Sequence, residues 1–180
     1  MTSNYLQMTI RISSSQKKIL IKGASQIAAI LQDILRQKRS LRQHFENLWI
    51  VGLNNENKLQ FIEITAVGRF KVNNTSPAEI FRRALDKNAT KLALVQYSPK
   101  GNLMPMPDDK STAERMVKAG ELLGMAVFDY IIISASEYLS FAEEGIVEEL
   151  NLVNKKPPKK KAQKRKSHAY PKGTHRFHIS

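Results

Sequence analysis

Two apolar, β-branched runs, Phe45 to Leu53 and Leu59 to Val67, are separated by Asn54-Asn55-Glu56-Asn57. Turn-forming residues between two runs of strand length specify a β-hairpin. Next comes Ser76-Pro77-Ala78-Glu79, with a serine to cap a helix, proline at its first position and glutamate three residues after the cap. This is the capping-box pattern, and it predicts a helix that carries Ile80, Phe81, Ala84 and Leu85 to about Asn88. Lys91 to Tyr97 is a third apolar run of strand length. A hairpin, a helix and a further strand in that order predict an α/β fold.

The flanking segments extend the same alternation. Met8 to Ile12 reads as a short strand, and Ser13-Ser14-Ser15 as a turn or helix cap. Ile27, Ile30, Leu31, Ile34 and Leu35 recur at helical spacing after Ser25, which predicts a helix from Ser25 to Arg39 with Ser25 as its N-cap. Its closing run, Arg36-Gln37-Lys38-Arg39, suits the negative end of the helix dipole and reads as a solvated helix end. Trp49, between Leu48 and Ile50, is a core residue by its neighbours.

Gly101 to Pro107 is irregular, because Pro105 and Pro107 break both ladders and helices. Asp108 and Asp109 then open a helix with Met116, Val117, Leu122 and Leu123 on its expected apolar side. A carboxylate in a first helical turn caps free amides without any metal, so Asp109 has a sufficient role in the helix alone. Ala126 to Ser134 and Glu137 to Phe141 read as strands, and Ile146 to Leu150 as a short helix. Neither an internal repeat nor a glycine-rich phosphate loop is present, and His44 lacks the partners of a nucleophilic triad.

With 180 residues and 42% hydrophobic content, one ordinary core is expected. The chain has no cysteine, no run of about eighteen apolar residues and no charged-then-apolar leader at Met1, which together predict a cytoplasmic protein with no membrane partner. The net charge of +13 is unevenly placed. Residues 151 to 180 hold ten Lys or Arg and no Asp or Glu, which leaves +3 for residues 1 to 150. Lys155, Lys156, Lys159, Lys160, Lys161, Lys164, Arg165, Lys166, Lys172 and Arg176 therefore form a basic tail. The tail has too little apolar surface to offset its ordering entropy and is expected to be disordered.

Such a tail binds polyanions through counterion release, so non-specific nucleic acid is the expected partner, with an acidic protein as the alternative. Tyr170 and Phe177, near Lys172 and Arg176, have rings that stack on unpaired bases. His168, His175 and His178 lack a fourth ligand and a folded frame for a metal.

The segment Leu94-Val95-Gln96-Tyr97-Ser98-Pro99-Lys100-Gly101, followed by Asp109, resembles the RadC-like branch of the JAB domains, also called MPN or JAMM metallohydrolases. In metal-binding members a strand ends in His-x-His-Pro-Ser-Gly, and an aspartate follows in the first turn of a helix. Ala119-Gly120-Glu121-Leu122-Leu123-Gly124 fixes the register without a gap. Phe128-Asp129-Tyr130-Ile131-Ile132 is similar to the family's Leu-Asp-His-Ile-Ile, and Tyr138-Leu139-Ser140-Phe141-Ala142-Glu143-Glu144-Gly145 to its closing Tyr-x-Ser-Phe-x-Glu-Gly.

The resemblance runs from about Gln43 to Leu150. It implies a JAB/MPN-like (cytidine-deaminase-like) mixed β-sheet flanked by helices over residues 41 to 150, with an N-terminal strand and helix over 1 to 40 and the tail over 151 to 180. On that register Gln96 and Ser98 stand at the two histidine positions, and Asp109 at the third ligand. Met106 stands at a serine, and Gln43, before His44, at the glutamate that activates water. Glutamine and serine bind zinc poorly compared with imidazole, and an amide cannot serve as general base.

The resemblance thus implies the fold and argues against the activity. The expectation is a domain without metal or cofactor that acts as a binding or scaffold module and contacts nucleic acid through its tail. Two alternatives stay open. One is a zinc-dependent peptidase or isopeptidase with atypical ligands beside Asp109, and the other is a protein-interaction module using the groove from Gln96 to Met106.

Overall fold

Strands β2 (Asn47–Leu53) and β3 (Leu59–Val67) pair antiparallel around the expected turn. The turn closes because the Asn54 side-chain oxygen accepts hydrogen bonds from the N–H groups of Glu56 and Lys58 at 3.0 and 2.9 Å. Asn57 takes the left-handed backbone (φ 60°), a conformation asparagine tolerates better than most residues. The computed structural model describes residues 8–38, 47–67 and 76–151. Gln43, His44 and the basic tail lie outside the described residues.

Four further strands complete a six-stranded sheet in the order β1-β3-β2-β4-β5-β6. They are β1 (Met8–Ile10), β4 (Lys91–Tyr97), β5 (Ala126–Ile133) and β6 (Tyr138–Ser140). Neighbours run antiparallel except β4 and β5, whose parallel pairing makes the sheet mixed. The helix needed to cross between parallel strands is α3 (Pro107–Leu123). The other α-helices among the described residues are α1 (Ala24–Gln37), α2 (Pro77–Asp86) and the short α4 (Ile146–Asn151).

Both faces of the sheet are apolar, and strand alternation sorts them. Trp49, Val51, Ile62, Ile64, Val95 and Ile131 face α1, whose Ile27, Leu31 and Ile34 close that core. Leu48, Ile50, Phe61, Leu92, Leu94 and Ile132 face α2 and α3, where Phe81, Ala84, Met116 and Val117 close the second. The central strands are accordingly apolar at nearly every position, as a sheet covered on both sides requires. The Gln32 amide ties α1 to the β5–β6 turn by donating to the carbonyls of Ser134 and Glu137, both at 3.2 Å.

Three local expectations are corrected. Helix α1 begins at Ala24 after Gly23, so Ser25 lies inside it. The side-chain oxygen of Gln26 reaches back to accept the Lys22 N–H at 2.6 Å, taking over part of a cap's work. Ser76 does hold the N-cap position of α2 with Pro77 behind it, but its side chain makes no capping hydrogen bond. On α3 the buried stripe is Asp109, Thr112, Ala113, Met116, Val117 and Gly120, and Leu122 and Leu123 are exposed. Leu122 lies two positions past Gly120, about 200° around the helix, and is 89% exposed.

Candidate functional site

The two parallel strands deliver the site. On β4, Gln96 shares the face of Leu92 and Leu94; on β5, Tyr130 sits beside Leu94 and Ile132 beside Gln96. Gln96 and Tyr130 are thus diagonal neighbours on one face, beneath the start of α3. The Tyr130 hydroxyl donates to Gln96 Oε1 at 2.5 Å, and both side chains are buried.

Asp109 enters from above as the third residue of α3. Its Oδ2 accepts the Met106 N–H at 2.8 Å, the hydrogen bond a carboxylate at this position is suited to make with the N-cap amide. The residue is only 3% exposed. Burial pushes its carboxyl above the usual carboxylate range, and the Met106 N–H followed by the Gln96 side chain pulls it partly back. Nearby Asp108 adds to the upward push, and the Tyr130 side chain, as a further hydrogen-bond partner, to the downward pull. Gln96 and Tyr130 are hydrogen-bonded to each other, and Asp109 lies close enough for both to lower its pKa.

Other candidate positions are placed differently. Ser98 lies beyond the end of β4, where its N–H donates to the Ile133 carbonyl at 2.7 Å and its carbonyl accepts the Gly101 N–H at 3.1 Å. Gly101 closes that turn with φ 77°, which favours glycine. Met106 is the N-cap of α3 and is 54% exposed, so its side chain is not part of the buried cluster. One turn along α3, Thr112 is fully buried with no hydrogen-bond partner for its hydroxyl.

Directly behind Tyr130 is a second polar centre. Asp129 accepts the Ser140 hydroxyl at 2.6 Å and the Ala142 N–H at 3.0 Å, while Ser140 Oγ accepts the Glu143 N–H at 3.1 Å. Desolvation is the largest influence on Asp129 and moves its pKa from 3.8 to about 6. The turn it anchors presents Phe141 to the Tyr130 ring, with centroids 4.9 Å apart and planes tilted by 39°. The sequence reading treated Asp129 and Tyr130 as framework alone. The available signal was Tyr130 itself, a polar-tipped residue at an inward position of a strand paired with the one carrying Gln96.

A zinc hydrolase needs three donors among imidazole, thiolate and carboxylate, with one position open to water. The donors gathered here are an amide, a phenol and one carboxylate. The amide oxygen already accepts from the phenol, and one carboxylate oxygen serves as a helix cap. Among the described residues no group of three His, Cys, Asp or Glu converges. This donor set does not fit zinc.

The sequence model of the RadC-like JAB domain matches residues 21–146. The chain belongs to the RadC-like JAB family. A UPF0758 protein of Desulforudis audaxviator (strain MP104C) is 34% identical over 105 residues, covering 58% of this chain and 44% of the relative. UPF0758 proteins of Aquifex aeolicus (strain VF5) and Methanococcoides burtonii (strain DSM 6242) are 28% and 27% identical over 142 residues each, covering 79% of this chain. Those matches cover 59% and 60% of the two relatives, so the chain spans about half the length of the curated relatives it matches. The six-stranded mixed sheet agrees with the RadC-like JAB fold implied by the resemblance. On the register that the resemblance implies, Gln96 stands at a ligand histidine, Asp109 at the ligand aspartate and Tyr130 at the histidine of Leu-Asp-His-Ile-Ile.

Proposed function

We propose that this chain is a RadC-like JAB domain that works without zinc, as a binding or scaffold module, and that it contacts nucleic acid non-specifically through its C-terminal cations. The observation that carries the first half is the hydrogen bond from Tyr130 to Gln96, beside an Asp109 whose carboxylate caps α3. The amide oxygen and one carboxylate oxygen are thus already engaged at the place where metal-binding relatives use their ligands, and a water molecule without a Lewis acid keeps its bulk acidity. Zinc content of the full chain, purified without chelator and measured by mass spectrometry, tests this. Well below one zinc per chain is expected. Stoichiometric zinc that disappears in Asp109→Ala would instead establish the metallohydrolase alternative.

Support for the second half comes from charge segregation, with ten cations and no carboxylate over residues 151 to 180. If about half of them meet phosphates of duplex DNA, the logarithm of affinity falls by roughly 4.5 per tenfold rise in salt. Between 50 and 200 mM salt, that amounts to about a 500-fold loss. Replacing Lys159, Lys160, Lys161, Lys164, Arg165 and Lys166 by glutamine in the full chain is expected to remove most of that dependence. An unchanged titration would reject the tail as the contact.

A further inference from the structure

At the far end of the sheet from Tyr130 and Gln96, three separate segments bring lysines together. The segment 16–22 lies along the hairpin tip: Leu20 bridges to Lys58, the Ile21 N–H donates to the Asn57 carbonyl at 2.9 Å, and the Leu59 N–H to the Ile19 carbonyl at 3.2 Å. β4 starts at the same end, since Lys91 pairs with Leu53. Lys91 Nζ donates to Asn57 Oδ1 at 2.7 Å and to the Asn55 carbonyl at 3.3 Å, and Lys58 pairs with Glu56. Lys17, Lys18 and Lys22 are exposed, and they make no ion pair with the described residues.

Five ammonium groups and one carboxylate thus amount to +4 along these segments, whereas the described residues together hold 15 Lys or Arg and 15 Asp or Glu and sum to zero. A local excess of positive charge therefore sits where the hairpin tip meets the segment 16–22. Concentrating like charge carries a self-repulsion that binding to an anion relieves. Ammonium groups on flexible stems are point charges, suited to phosphates and not to reading base edges. The exposed Leu20 between Lys18 and Lys22 is too small an apolar feature to mark a membrane anchor.

We infer that Lys17, Lys18 and Lys22, with Lys58 and Lys91 beside them, form a second surface for the phosphate backbone of nucleic acid, separate from the C-terminal cations. The inference rests on the nucleic-acid reading above and adds a site on the folded domain. A duplex held there is bound by the sheet end itself, opposite the Gln96 cluster.

The test compares full-length variants by anisotropy of a short fluorescein-labelled DNA duplex across a salt series. The triple variant Lys17→Gln, Lys18→Gln, Lys22→Gln is expected to reduce the salt slope by up to about 2.7, three contacts at roughly 0.9 each. The matched control Arg82→Gln, Lys100→Gln, Lys110→Gln removes the same charge elsewhere and is expected to change the slope by less than about 1. All six side chains are exposed, and unaltered thermal melts verify the fold. An unchanged slope in the first triple, with the slope lost in the C-terminal glutamine variant, overturns this inference and leaves the nucleic-acid reading intact. Equal losses in both triples also overturn it, because the effect is then of net charge. No binding by the unaltered chain defeats both. Vesicles containing phosphatidylserine supply the last arm: lysine-dependent vesicle binding without a DNA effect assigns the surface to lipid and refutes the proposal.

Discussion

Replacing Asp129 by asparagine should flatten the dependence of stability on pH between about 4 and 6. Asp129 is 2% exposed, and its carboxyl titrates near 6 in the folded chain against 3.8 for a free aspartate. A folded-state pKa above the unfolded value means that the native protein binds the extra proton. The stability from this group is then fully present below pH 3.8 and lost as pH rises through about 6. That displacement corresponds to roughly 3 kcal/mol, with a limiting slope of about 1.4 kcal/mol per pH unit. Asparagine resembles the protonated acid: its carbonyl keeps the Ala142 N–H, and its amide turns toward Ser140 Oγ.

Urea unfolding at pH values from 4 to 8 provides the assay, with wild type and Asp129→Asn measured side by side. Asp109 also titrates above the usual range, but it is present in both proteins, so the difference between their curves isolates Asp129. The variant is expected to match wild type near pH 4 and to exceed it by up to about 3 kcal/mol above pH 6. Asp129→Ala is the contrast, since it leaves the Ala142 N–H and the Ser140 hydroxyl without their acceptor. It should cost about 1–3 kcal/mol near pH 4, where Asp129 is protonated, and its deficit relative to wild type should shrink as pH rises through about 6. Parallel curves for wild type and Asp129→Asn, or a wild type that gains stability relative to the variant as pH rises, would refute the reasoning.

Two further outcomes check the packing around the site. Tyr130→Phe keeps the ring against Phe141 but removes the donor to Gln96 Oε1, so chemical denaturation should show a loss of about 1–3 kcal/mol with little change in the m-value. Gly52→Ala places a methyl group 2.1 Å from Phe61 Cε1 on the neighbouring strand, a contact that the Phe61 ring, which lies under the Lys87 ammonium, must move to relieve. A loss of about 1–3 kcal/mol is expected from the same measurement, and an unchanged midpoint would mean that the ring moves at no cost.

How much of this was legible in the sequence depends on the range over which each feature is decided. β3 and β4 begin and end as read, because each is an apolar run stopped by residues that choose their own turn: Asn57 before Leu59, and Pro99 after Ser98. The hairpin follows for the same reason. Helix starts were less secure, since Ser25 is a good cap by type, yet Ala24 is buried against the sheet and the helix gains by including it. Leu122 and Leu123 show the same limit from the other side: counting apolar residues finds a helix, but only the angular position about its axis says which of them meet the core.

The candidate site lies at the long-range extreme. Gln96, Asp109 and Tyr130 meet only because β4 pairs in parallel with β5 and α3 crosses back above them. The resemblance supplied the positions of Gln96 and Asp109, while composition and periodicity supplied neither. What it did not supply was the meaning of Tyr130, because a tyrosine in place of a framework histidine reads as a neutral exchange until its hydroxyl is seen against the Gln96 amide. Replacement of one ligand would leave a buried carboxylate and amide facing an unfilled space, which is costly in a water-poor interior. With Tyr130 added, the amide oxygen has a donor, and the carboxylate has the Met106 N–H. The three residues therefore make sense as a set. Restoring Gln96 alone to histidine should leave the site without zinc, because the tyrosine still fills it and Ser98 offers only a hydroxyl.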